Sequence, residues 1–303
     1  MDMEDKPEHL PVLVHGILAS PSDWTFAQAE LKKQLGRNFV IYASSCNTFT
    51  KTFTGIDEAG KRLANEVMLV VKKRDHTLKD FLFSSFSCFL EQEGINCWAA
   101  TNQFDHLGNT TSRCQREKTA SISIRTSILE KLAAPIAPFL AGHTGSQLFL
   151  TDGKPNKPPL LLRMASDFDD GKFLSALGAF KCRVLYANVS YDHMVGWRTS
   201  SIRRETELFK PPRRSLDGYK HVVDMEYCPG VPSEGPHLPP KAAKAKEAAR
   251  NAPCMQTTLE YHEIMEEEMM RGLQQFSWKK VDASFHSAFW PFFAHNNIHV
   301  KSE

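Results

Sequence analysis

The stretch that decides the fold is VLVHGILASPSDW, residues 12–24. Its first residues belong to a continuous apolar run, Leu10 to Val14, which has the length of a buried strand. A histidine–glycine pair, His15 and Gly16, follows, and a helical pattern begins a few residues later. A strand that turns in this way into a helix predicts the first unit of a sheet covered by helices.

The next segments repeat this alternation. The stretch WTFAQAELKKQL has helical spacing, with Asp23 as the predicted N-cap and Gly36 as the predicted end. FVIYASS is a second strand candidate, and GIDEAGKRLANEVMLVVKK is an amphipathic helix with Leu63, Val67 and Val71 on one face. The pattern therefore predicts an α/β fold with a mostly parallel sheet.

The second half of the chain continues in the same style. Residues Val184 to Ala187 are a buried-strand candidate, TTLEYHEIMEEEMMRGLQQF is a helix, and WKKVDASF is the last strand. The residues from about 228 to 256 are rich in Pro, Lys and Ala, which indicates a surface insertion. We predict that residues 1–303 form a single domain.

Composition limits the classes of function. The 303 residues carry 37 basic and 35 acidic side chains, a net charge of +2, which gives no general attraction for nucleic acid. The sequence shows no leader and no apolar run of membrane-spanning length, so an intracellular, cytoplasmic protein is expected. Its seven cysteines are irregularly spaced without a CxxC pair, which favours reduced thiols. We expect no metal site and no cofactor.

Two candidate residues follow predicted strands. In an α/β-hydrolase, the N–H after such a histidine–glycine pair stabilises an oxyanion, so Ile17 would be a donor beside His15 and Gly16. The alternative is a strand-to-helix turn that only needs a glycine. Asp192, in YDHMV, stands where a carboxylate could orient a catalytic imidazole. Its alternative is an Asx turn or a helix cap.

Histidines and arginines complete the candidates. His295, in FFAHNNIHV after the last strand, could be a general base, and His286 and His299 compete with it. Each could equally be a structural, hydrogen-bonded histidine. The doublets Arg203–Arg204 and Arg213–Arg214 could attract phosphate or a kinase, but a solvated face is the favoured interpretation.

Taken together, these residues resemble the lipase-like serine esterases of plants, a family of the α/β-hydrolase superfamily. The resemblance rests on VLVHGILASPSDW, TKTFTGIDEAGKRLANEV, ILEKLAAPIAP, GSQLFLTDGK, PPLLLRMASD, ANVSYDHMVGWRTSSIRR and FWPFFAHNNIHVK. It covers nearly everything outside residues 80–127. It implies hydrolysis of carboxylic or lipid esters by a serine on a nucleophile elbow, A-H-S-L-G-G, which should begin just after Leu78.

That elbow is missing, because no G-x-S-x-G pattern stands in the chain. Residues 80–127 show no sustained period and look foreign to their neighbours. With suitable synonymous codons, DFLFSSFS shifted by one base reads I-S-F-L-A-H-S-L, and DHLGNTTSRCQR reads I-T-L-A-T-P-H-L-G-V-R-G. Both resemble the family, so we expect an out-of-frame segment from about Lys79 to Ile128 that disrupts the elbow.

Loss of the serine predicts loss of the family's chemistry. DFLFSSFSCFL is apolar enough to replace the missing strand, and Ser84, Ser85 or Ser87 would then lie near the expected place, but no glycines flank them. Ser44 and Ser45 are weaker candidates. Two functions remain open: an esterase or lipase-like hydrolase of lipid metabolism that is inactive in this form, or a non-catalytic remnant, a pseudoenzyme that binds a ligand or partner.

Overall fold

A computed structural model describes residues 7–73, 80–85, 99–100, 141–154, 157–168, 171–192, 196–209, 214–232 and 259–287. Helices and strands alternate through most of these residues, as predicted for an α/β protein. The strands are β1 (His9–Val14), β2 (Tyr42–Ala43), β3 (Asp80–Ser85), β4 (Ala99–Ala100), β5 (Asp167–Phe168), β6 (Gly171–Lys172), β7 (Val184–Asn188), β8 (Val222–Cys228) and β9 (Trp278–Ala283). The helices are α1 (Thr25–Leu35), α2 (Ile56–Lys72), α3 (141–148), α4 (Leu160–Met164), α5 (Phe173–Gly178), α6 (Trp197–Ser200) and α7 (Leu259–Leu273).

Seven of the strands form one sheet in the order β2-β1-β3-β4-β7-β9-β8. Strands β2, β1 and β3 are parallel to one another, as are β7 and β9. The two-residue strand β4 runs antiparallel to both β3 and β7, and β8 runs antiparallel to β9 at one edge. Five of the seven strands therefore point the same way, and their carboxyl ends meet at one edge of the sheet.

The apolar segment after Lys79 does form a strand. All six residues of β3 pair in parallel with β1, from His9 beside Asp80 to Val14 beside Ser85. The prediction that DFLFSSFSCFL is apolar enough to form a strand is confirmed for Asp80–Ser85. The rest of the segment, apart from β4, lies outside the described residues.

Helices cover both faces of β1 because its side chains alternate. Leu10 and Val12 pack with Val67 of α2 on one face. Leu13 packs on the other face with Trp24 and with Leu31 of α1. Helix α2 spans the predicted segment, and its predicted apolar face is the buried one.

A second core lies on β7 and β9. Leu185 of β7 and Trp278 of β9 pack against Leu177 of α5 and Leu273 of α7. The other side of α7 joins α3 and α4 in a third cluster, where Met265 is fully buried. The predicted helix TTLEYHEIMEEEMMRGLQQF and the predicted last strand are confirmed as α7 and β9, with slightly shorter bounds.

Two local predictions change, and a third lies mostly outside the described residues. Asp23 does not cap α1; its carboxylate accepts a hydrogen bond from the Ser20 N–H, 2.9 Å away, and closes a 3-10 turn, Pro21–Trp24, before the helix. The second strand is only Tyr42–Ala43, preceded by one bridge between His9 and Phe39. The insertion predicted at about 228–256 begins where β8 ends, and most of it lies outside the described residues.

Candidate functional site

The candidate residues of the first half lie on the turn that follows β1. Ala19 donates a backbone hydrogen bond of 3.3 Å to the Gly16 carbonyl, which closes a turn around Ile17 and Leu18. Leu18 has a φ of 56°, in the left-handed region where glycine or asparagine is usual. A leucine there costs about 1–2 kcal/mol, so other contacts hold the turn.

The backbone N–H of Ile17 has no hydrogen-bond acceptor among the residues that the structure describes. The Ile17 side chain is partly buried and packs against the core cluster that contains Leu148 and Leu161. A main-chain donor without an acceptor, held beside the carboxyl end of a strand, can stabilise a negatively charged oxygen of a ligand.

His15 is buried, with 7% of its surface exposed. Its Nδ1 lies 3.2 Å from the Gly16 carbonyl oxygen. Because a carbonyl can only accept, Nδ1 is the donor in this contact. The other ring nitrogen, Nε2, is buried and has no partner among the described residues. The ring therefore has a nitrogen without a partner in the described part of the chain, two residues before the Ile17 donor in sequence.

Asp192 follows β7 at the same edge of the sheet. The buried Asn188, at the end of β7, donates a hydrogen bond of 2.8 Å from Nδ2 to the Asp192 Oδ2. Tyr191, between them, has a φ of 62°. Helix α6 begins at Trp197 with Gly196 as its N-cap, so Asp192 does not cap that helix. The carboxylate is thus held against the sheet by a strand residue.

The candidate general base cannot be placed in the same way, because His295 and its competitor His299 lie outside the described residues. His286 is described. Its Nδ1 lies 3.1 Å from the Ser284 hydroxyl oxygen, two residues along the chain. Strand β9 ends at Ala283, so the loop that carries the histidines starts at the same edge of the sheet as Asp192.

The alternative serines divide into two groups. Ser84 and Ser85 are the last residues of β3 and lie in register with Leu13 and Val14. Ser87 lies outside the described residues. This leaves the replacement nucleophile a prediction.

Ser44 and Ser45 are held by a carboxylate. Their hydroxyls donate hydrogen bonds of 2.5 and 2.9 Å to Glu66, which also accepts from the Ser45 N–H and from Tyr42. Burial alone would raise the pKa of Glu66, but the hydrogen bonds from Ser44 and Ser45 outweigh it and lower the pKa to about 2. A carboxylate with so low a pKa is a poor base, which argues against activation of either hydroxyl by Glu66 and leaves Ser44 and Ser45 weak candidates.

A buried ion pair links the segment after Asp192 to the last strand. Arg203, 2% exposed, places Nη1 2.9 Å from both carboxylate oxygens of Asp282 on β9. Trp197 donates from Nε1 to the same carboxylate at 2.9 Å. Burial lowers the pKa of Arg203, and the Asp282 charge more than offsets this, so the guanidinium stays charged.

The interpretation of Arg203–Arg204 as a solvated face is therefore wrong. Arg204 also faces protein, with two nitrogens hydrogen-bonded to the Glu267 carboxylate on α7. One sequence signal could have found the pair: Asp282 is an acidic residue in a strand whose residues are mostly buried, and such a residue needs a partner. In the second doublet, Arg214 is exposed and Arg213 lies outside the described residues.

Metal sites and membrane-spanning helices are two further features that the described residues do not provide. In the part of the chain that the structure describes, no three His, Cys, Asp or Glu side chains are grouped so that they could hold a metal ion. None of the described helices is long and apolar enough to cross a membrane.

Comparison with known proteins gives one match. The model of the family described as "Putative serine esterase (DUF676)" matches residues 4–87 and 106–202, more than half of the chain. The matched residues include β1, the turn after it, β3 and Asp192, and the gap at 88–105 lies inside the segment that the sequence sets apart. No curated protein and no solved structure matches the chain.

Proposed function

The chain belongs to the putative serine esterase family, and from that premise we propose that it has an α/β-hydrolase site that binds carboxylic or lipid esters without cleaving them by a serine mechanism. In this proposal Ile17 donates to the carbonyl oxygen of the ester, with His15 and Gly16 forming the turn. His295 is the general base that the family's chemistry would use, and Asp192 is the carboxylate that would orient its imidazole. Residues 1–303 are treated as one domain with a central segment that departs from the family.

The binding half of the proposal is supported by the turn after β1. The N–H of Ile17, which has no acceptor among the described residues, provides the donor that an ester carbonyl needs. The Nε2 of His15, also without a partner in the described part of the chain, stands two residues before it in sequence. The carboxylate of Asp192, held by Asn188, supports the role of this residue in orienting an imidazole. Neutral overall charge fits an ester better than a polyanion.

The part of the proposal that excludes a serine mechanism rests on one observation. Val14 of β1 pairs in register with Ser85 of β3. In the fold, the nucleophile follows the strand beside the one that carries the histidine–glycine turn. That position comes directly after Ser85, where this chain has Phe86. The shifted reading of DFLFSSFS puts its serine at the codon of Phe86, which supports the out-of-frame origin of the segment.

The loss of the serine leaves the other groups without a reaction to assist. Phe86 has no hydroxyl, and Ser87 and Cys88 after it are not flanked by glycines that would permit the strained elbow turn. An imidazole at His295 would then have no alcohol from which to take a proton. The site can still bind an ester, because binding needs only the donor and an apolar surface.

The test uses the full chain with a fluorophosphonate probe, which labels activated serines, and with p-nitrophenyl butyrate. We expect no stoichiometric labelling and hydrolysis no faster than with heat-denatured chain. Labelling that is lost in Ser87→Ala but kept in Ser45→Ala, with hydrolysis lost in His295→Ala, would show an active hydrolase with a replaced nucleophile. A transcript that encodes no Ala-His-Ser-Leu in any frame across codons 79–128 would overturn the out-of-frame origin.

A further inference from the structure

We infer that Thr52 is a positioning residue: its hydroxyl fixes the peptide that follows Ile17 and so holds the oxyanion turn in its binding conformation. The inference rests on the proposed function, because it takes the Ile17 N–H as the group that meets the ligand. Thr52 belongs to a 3-10 turn, Phe49–Phe53, that lies between β2 and α2 in sequence.

The contact joins residues 34 positions apart. The Leu18 N–H donates a hydrogen bond of 3.1 Å to the Thr52 Oγ1. The Thr52 hydroxyl donates in turn to the Phe49 carbonyl, 2.5 Å away. Because its proton is committed to that carbonyl, the oxygen must present a lone pair to Leu18. Thr52 is 8% exposed, so water does not compete for this lone pair as it would at the surface.

The turn needs such a support because its own hydrogen bond, from the Ala19 N–H to the Gly16 carbonyl, is long at 3.3 Å. Leu18 has a φ of 56° and leaves 56% of its surface exposed, so burial of its side chain does little to stabilise the left-handed backbone. The hydrogen bond to Thr52 and a second one, from the Phe49 N–H to the Ala19 carbonyl at 3.1 Å, tie the turn to the 3-10 segment. With the Leu18 peptide fixed, rotation about Ile17 is restricted.

A second threonine holds Thr52 itself. Thr144 of α3, 2% exposed, donates from its hydroxyl to the Thr52 carbonyl at 2.6 Å and accepts from the Gly55 N–H at 2.9 Å. The chain of contacts therefore runs from α3 through Thr52 to Leu18. Thr52 acts on the ligand only through the turn, so substitution at this position should change binding without removing any group that touches the ligand.

The test follows the amides of the full chain labelled with ¹⁵N at isoleucine and leucine, during titration with butylphosphonate, a tetrahedral anion with an apolar chain. Peaks are assigned with Ile17→Val and Leu18→Val. In the unsubstituted chain we expect the Ile17 amide to shift on titration. In Thr52→Val we expect the Leu18 amide to move before ligand is added, and affinity to fall about threefold to tenfold, as loss of one hydrogen bond implies.

Two matched variants separate positioning from general damage. Thr52→Ser keeps the hydroxyl and should restore both the Leu18 peak position and the affinity. Thr54→Val removes an exposed hydroxyl that donates to the Lys51 carbonyl, and it should change neither. Unchanged affinity in Thr52→Val, or a loss that Thr52→Ser does not restore, would overturn the role of Thr52. If the Ile17 amide of the unsubstituted chain does not shift, the proposed donor is wrong, and the inference falls with it.

Discussion

Replacing Asp282 with alanine should destabilise the protein more than any surface substitution, because it removes the buried partner of the Arg203 charge. Asp282 is 1% exposed and accepts hydrogen bonds from Arg203 and Trp197. Without the carboxylate, the guanidinium of Arg203 keeps the half-exposed Glu226, 3.3 Å away, as an ion-pair partner. The pair joins residues that are 79 positions apart, so its loss also loosens the segment after Asp192.

The magnitude follows from burial of both partners. Removing one member of a buried pair costs about 3–5 kcal/mol, because the remaining charge stays desolvated. That is a large share of the roughly 5–15 kcal/mol that stabilises a typical domain. Replacing both members with apolar residues, in Arg203→Met with Asp282→Leu, should cost far less than the single substitution, since no buried charge is left unpaired.

Urea unfolding, followed by tryptophan fluorescence, measures both effects. With an m-value of about 1–3 kcal/mol/M, Asp282→Ala should lower the midpoint by about 1 M or more. Lys61→Ala, which breaks an exposed ion pair with Glu58, serves as the control and should leave the midpoint unchanged. If Asp282→Ala shifts the midpoint no more than the control does, or if the double variant is as unstable as the single, the pair is not a buried anchor.

Two other predictions concern stability. The folded pKa of Glu66, about 2, lies below its ordinary 4.5, so its contribution is present above pH 4.5 and is lost as the pH falls toward 2. Glu66→Gln should therefore lower the urea midpoint at pH 7, and the difference should shrink toward pH 3; a difference that does not change with pH would contradict this. Gly272→Ala on α7 would place a Cβ 2.1 Å from the Ala165 carbonyl oxygen and should destabilise by about 1–3 kcal/mol in thermal unfolding. Gly60→Ala on α2 meets nothing within 4 Å and should stabilise slightly, as alanine does in a helix; equal effects would refute the steric argument.

Individual strands and helices could be predicted because hydrophobic spacing depends only on neighbouring residues. The apolar run that became β1 and the helical spacing of α2 depend only on neighbouring residues, and both formed where the pattern predicts. The same holds for Gly36, whose φ of 74° ends α1 in a conformation that suits glycine. The prediction that Asp23 caps α1 is wrong because a 3-10 turn before the helix has the same start signals as a helix.

The candidate site could be predicted only in part, because its contacts join residues that are distant in sequence. The sequence identified the turn at His15, Gly16 and Ile17, but the support from Thr52 depends on a contact across 34 residues. The sequence shows that Arg203 is a basic residue but not that it is buried, because its partner Asp282 lies on a strand 79 positions further along the chain.

The sequence by itself determined the α/β class, the strands and helices with strong periodicity, and the residue types available for ester chemistry. Only the tertiary structure decided that Asp80–Ser85 lies beside β1, that Arg203 is buried, and that Ser44 and Ser45 are tied to Glu66. The physical reason is range: hydrophobic periodicity acts within a few residues, whereas burial and pairing of polar groups depend on which distant segments the sheet order brings together.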